Sequence, residues 1–68
     1  MKLSDFDTIT REEMISIARS ILPDGGCLDD DWPDYRDRIG AEIDTEIPFV
    51  SNDVSDDIID EIMGEAQR

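Results

Sequence analysis

Apolar positions recur with helical spacing in three separate stretches of this chain. In ITREEMISIARSIL, Met14, Ile17, Ala18 and Ile21 follow the i, i+3, i+4, i+7 rule that gathers side chains on one helix face. Thr10 and Glu13 have capping-box spacing, and Ile9 and Met14 stand where a hydrophobic staple forms, so the pattern predicts a helix beginning after Thr10. Pro23, Gly25 and Gly26 stop it. In DDDWPDYRDRIGAEI, Asp31 caps a second predicted helix whose first turn tolerates Pro33. Trp32, Tyr35, Ile39 and Ile43 then share a narrow face. Gly40 weakens this helix by about 1 kcal/mol relative to Ala, which reflects either close packing or a poor helix former. TEIPFVSND breaks the pattern at Pro48 and reads as a connector whose Ile47, Phe49 and Val50 fold back onto the core.

The third helix is predicted from Asp53 or Ser55 to about Ala66. Placing its residues 100° apart puts Val54, Ile58, Ile59, Ile62, Met63 and Ala66 on one half. Asp53, Asp56, Asp57, Asp60, Glu61 and Glu65 fill the other half. There is no internal repeat, low-complexity tract or strand pattern. The expected architecture is a small all-α three-helix bundle forming a single domain over residues 1–68.

Charge sharpens this picture. Nineteen acidic residues against six basic ones give a formal net charge of −13, which repels nucleic acid and anionic membranes and attracts basic protein surfaces. No apolar run has the length of a signal peptide core or of a membrane span, so a cytoplasmic protein is expected. The lone Cys27 forms neither an internal disulfide nor a Cys-based zinc site, and suits a reducing compartment.

Enzyme chemistry has little to draw on. There is no His, one Cys, one Lys near the terminus and no glycine-rich phosphate loop, and 68 residues leave little room for a carboxylate pair in an apolar pocket. The expectation is a protein without catalytic activity or cofactor. A calcium loop beginning at Asp29 also fails, because the EF-hand pattern needs a ligand at Pro33, Gly at Asp34 and Glu at Gly40.

What remains is charge arrayed on helices. Residues three and four apart on a helix lie ~5–6 Å apart, and B-form DNA carries one phosphate per ~3.4 Å of rise on each strand. Rows of carboxylates therefore approximate a phosphate backbone. Thirteen of the acids are Asp, although Glu is the better helix former. Asp holds its charge nearer the backbone, with fewer rotamers to freeze on binding. From Ile39 to Gln67 no base stands among the acids, a one-sidedness that costs stability by self-repulsion and that a merely solvated face does not require.

The stretches DDDWPDYRD and NDVSDDIIDEIMGE, in so short and acidic a chain, resemble the class of small phage proteins that mimic DNA, including some anti-CRISPR proteins. The resemblance implies an inhibitor whose acids occupy the Arg/Lys groove where a host defence complex grips nucleic acid. The contacts would come from Asp29, Asp30, Asp31, Asp34 and Asp37 together with Asp53, Asp56, Asp57, Asp60, Glu61 and Glu65, and Trp32 or Tyr35 would anchor an edge.

DTEIP, at Asp44 to Pro48, is similar to the end of the second helix of bacterial acyl carrier proteins, with Tyr35, Ile39 and Ile43 at apolar positions of that helix. Carrier proteins bear phosphopantetheine on the Ser of an Asp-Ser-Leu motif about fifteen residues earlier. Here that stretch is CLDDD, with Asp29 in place of Ser, and the segment between the first two helices is shorter. The alternative implied is a carrier-like or adaptor helical module without phosphopantetheine.

Overall fold

Three α-helices carry the fold, and each packs against the other two. In the computed structural model, which describes residues 2–67, they are α1 (Thr8–Ile21), α2 (Trp32–Glu46) and α3 (Asp56–Ala66). A single 3-10 turn precedes each helix: Leu3–Asp5, Asp29–Asp31 and Ser51–Asp53. No strand occurs among the described residues, and the chain is an all-α three-helix bundle, as its periodicity predicts.

Helix α1 starts earlier than the Thr10 capping box suggests. Asp7 is the N-cap, and its Oδ1 accepts the Thr10 backbone N–H at 2.6 Å. Asp is at least as good a cap as Thr, and a start at Thr8 puts Thr10 on the inward stripe four residues before Met14, where it is buried. Ile9 is 74% exposed, so it forms no staple with Met14. The Thr10 backbone N–H, then the Thr10 hydroxyl, hold the Asp7 carboxyl below its ordinary 3.8, with a smaller pull from Arg11. Because the folded value is the lowered one, this cap stabilises the fold above about pH 3.8 and is lost as pH falls through the folded value below that. Asp7→Ala is expected to lower the thermal midpoint at neutral pH, and the gap from the native chain should close below pH 3.8 in circular dichroism melts. A gap that persists there would mean that the cap acts through something other than its charge.

Gly25 and Gly26 both have φ of +86° and turn the chain out of α1, a conformation that L side chains rarely adopt. Helix α2 begins where the sequence places it, with Asp31 at the N-cap and Pro in the first turn, although the Asp31 side chain makes no capping bond. Ile39 and Ile43 are buried, while Trp32 and Tyr35 are half-buried against the core. Gly40 marks close packing: a Cβ there would lie 3.0 Å from Ile59 Cδ1 on α3.

The connector departs from expectation at one residue. Ile47 is buried and Val50 half-buried, but Phe49 is 76% exposed. Asp53 belongs to the 3-10 turn ahead of α3 and not to the acidic face of that helix. Helix α3 itself buries Ile58, Ile59, Ile62 and Met63, which meet Met14, Ala18, Ile39, Ile43 and Ile47 in one cluster. Leu3, from the N-terminal turn, completes it.

The Cα radius of gyration is 10.8 Å, close to the ~11 Å expected of a folded chain this long. Gly64, inside α3, has open space where a Cβ would stand. Gly64→Ala is therefore expected to stabilise the protein by about 0.5–1 kcal/mol through helix propensity alone, raising the midpoint by several degrees. An unchanged or lowered midpoint would contradict it.

Candidate functional site

The acids of α3 divide by what they touch. Asp56 and Asp57 occupy the first turn, exposed, where the positive end of the helix dipole favours them. Asp60, one turn on, is half-buried: its Oδ1 accepts the Trp32 indole N–H at 2.7 Å and lies 3.6 Å from an Arg36 guanidinium nitrogen. Glu61 accepts the Leu3 backbone N–H at 2.9 Å and so holds the N-terminal turn against α3. Glu65 is exposed one turn further along.

The second group surrounds the start of α2. Asp29, Asp30 and Asp31 form the 3-10 turn, with the Asp31 N–H donating to the Leu28 carbonyl at 3.0 Å, and all three side chains are exposed. Asp34 and Asp37 follow on the helix, exposed as well. Two bases interrupt this run, and both are engaged within the molecule: Arg36 by Asp60, and Arg38 over the Tyr35 ring at 5.6 Å from its centre.

Trp32 joins the two groups. It directly follows Asp29–Asp31, and its indole is bonded to Asp60, one helical turn from Asp56 and Asp57. The acidic turn is thereby fastened beside the acidic half of α3. Asp53 stands exposed in the turn that leads into that helix.

Neither a family model, nor a curated relative, nor a solved structure matches this chain.

Two surface grooves carry carboxylates beside apolar side chains. One, between the N-terminal turn, α1 and α3, is lined by Leu3, Arg11, Ile15, Glu61 and Glu65. Another, between α1 and α2, is lined by Glu13, Ser16, Ser20, Glu42 and Glu46, and there the Ser20 hydroxyl donates to the Ile17 carbonyl at 2.7 Å. Among the described residues no group of three His, Cys, Asp or Glu side chains is placed to hold a metal ion, and no helix is long and apolar enough to cross a membrane.

The helical wheel of α3 identifies its acidic half but not the internal duties of Asp60 and Glu61, because both depend on partners distant in sequence, Trp32 and Leu3. Two signals bear on them. A Trp at a helix start carries an N–H that seeks an acceptor when partly buried, and Leu3 and Phe6 are apolar residues ahead of the first helix that can bring the N-terminal segment onto the core.

Proposed function

We propose that this chain is a small acidic binding protein, without catalytic activity, that occupies a basic nucleic-acid-binding protein surface by DNA mimicry. Within the class of small phage DNA mimics that it resembles, an anti-CRISPR inhibitor seated in the groove of a host defence complex is the role its size and charge favour. The observation that carries this reading is the Trp32–Asp60 hydrogen bond, which sets Asp29, Asp30 and Asp31 beside the helix that bears Asp56 and Asp57.

Charges on two elements that a hydrogen bond links have less backbone freedom to lose on binding, and that favours a carboxylate array in competition with a phosphate array. Of the two bases near the array, Arg36 offsets Asp60 alone, and the exposed Arg38 keeps its charge over the Tyr35 ring, so the array's acids still outnumber the bases beside them.

Affinity capture from a host lysate at low and moderate salt, followed by challenge with duplex DNA or RNA, tests the proposal. The captured protein should bind nucleic acid on its own, be released by it, and be released again as salt rises. A stable ternary complex with nucleic acid would overturn mimicry.

One observation favours the carrier-like alternative: Asp44, Thr45 and Glu46 form the last residues of α2, with Ile47 and Pro48 just beyond, so DTEIP ends the second helix. Since Asp29 offers no hydroxyl, incubation with a phosphopantetheinyl transferase and coenzyme A should leave the mass unchanged. A gain equal to the cofactor's arm would decide for a carrier.

A further inference from the structure

We propose that Phe49 and the carboxylates flanking its turn form a docking surface for a cationic amphipathic segment of the partner protein. The inference deepens the mimicry reading and rests on it, adding an apolar contact to the charged ones.

The turn is built to present this ring. Ile47, two residues before it, is buried, and the Ile47 carbonyl accepts the Val50 N–H at 3.2 Å. The Pro48 carbonyl accepts both the Ser51 N–H at 3.4 Å and the Ser51 hydroxyl at 3.0 Å, and the Asp53 N–H donates to the Val50 carbonyl at 2.9 Å. Phe49 is therefore held out in water, 76% exposed, between a buried Ile and a half-buried Val. Water contact with a phenyl ring is unfavourable, and a partner that covers the ring recovers that free energy.

Charge selects the occupant. Glu46 and Asp53, both exposed, stand three residues before Phe49 and four after it. A second copy would bring another net −13 and would set the same carboxylates against each other, so self-association is opposed. A segment with Lys or Arg beside an apolar side chain meets both demands, pairing its cations with Glu46 and Asp53 and packing on the ring. An aromatic anchor whose surrounding contacts exclude water is the usual anatomy of an energetically dominant contact.

The test uses the full chain, isotope-labelled and followed by amide NMR, titrated with two synthetic probes: a helical peptide with Lys on one face and Leu on the other, and an oligolysine of equal charge. The amphipathic peptide should move the amides of residues 46–53 and bind about tenfold more tightly than oligolysine. Phe49→Ala should erase that advantage while leaving oligolysine binding within about twofold, and Phe49→Leu should keep most of it. Phe49 is exposed, so these variants fold, as their spectra will confirm. Equal affinity for the two probes, or indifference to Phe49→Ala, would overturn this inference and leave the acidic surface standing. Failure of both probes to bind at low salt would overturn the mimicry reading with it. Dimerisation of the chain that Phe49→Ala abolishes would make a second copy the occupant, and would overturn the proposal by a separate route.

Discussion

Replacing Ile62 with Ala is expected to abolish the cooperative thermal transition of this protein in dilute buffer. Ile62 is fully buried on α3, in the cluster shared with α1 and α2. Truncating a buried Ile to Ala costs about 2–5 kcal/mol, through lost apolar transfer and the cavity left behind. A core of this size rarely supplies more than about 3–5 kcal/mol of net stability, and the uncompensated acids draw on that margin. Ile62→Val, at about 0.5–1.5 kcal/mol, should remain folded with a lowered midpoint. Calorimetry and near-ultraviolet circular dichroism separate the two outcomes. A cooperative Ile62→Ala transition within a few degrees of the native midpoint would show that the α3 face does not hold the bundle together.

The second large effect concerns binding. Changing Asp56, Asp57 and Asp60 to Asn and Glu61 to Gln is expected to weaken the complex with a basic partner at least a hundredfold, about 2.7 kcal/mol. A contact with a desolvated cation is worth about 2–5 kcal/mol when truncated, and a rim charge about 1 kcal/mol or less. The structure explains why the variant should fold. The amide oxygens still accept from the Trp32 indole and the Leu3 N–H, and the Arg36–Asp60 pair that is lost is partly exposed. Asp56 and Asp57 give up a favourable interaction with the helix dipole, roughly 0.3–1 kcal/mol each, while the net charge falls from −13 to −9 and relieves repulsion. At low salt the two effects oppose each other, and as salt screens both, the melts of the two proteins should converge. Asp60 and Glu61 already serve internal contacts, so the paired change at Asp56 and Asp57 alone should account for most of the lost affinity. A folded quadruple variant that still binds and still excludes nucleic acid would show this face to be solvated and move attention to Asp29–Asp37.

The bundle was legible in the sequence where one element's own periodicity decides burial. Ile58, Ile59, Ile62 and Met63 face inward because no other wheel position removes so much apolar surface from water. The start of α1 was less legible, since two overlapping caps are written there, and the choice between Asp7 and Thr10 turns on whether Thr10 faces the core. In the connector, Ile47, Phe49 and Val50 look equally apolar, and only the turn's hydrogen bonds determine that Phe49 points out. Of the acidic array, sequence shows the charge and its helical register. It does not show that Asp60 and Glu61 are spent on Trp32 and Leu3, because those pairings close across 28 and 58 residues of chain.

Trp32 is the chain's one Trp, and its indole lies at the joint between the acidic turn and α3. Its fluorescence therefore reports a single location in the molecule. The half-buried, carboxylate-bonded indole emits in an environment distinct from bulk water, so a ligand that pries the turn from the helix will shift the emission to the red without altering the far-ultraviolet helix signal, and one that settles over the joint will shift it to the blue. The same contact that orders the acids gives the surface an intrinsic optical label, free of any attached dye.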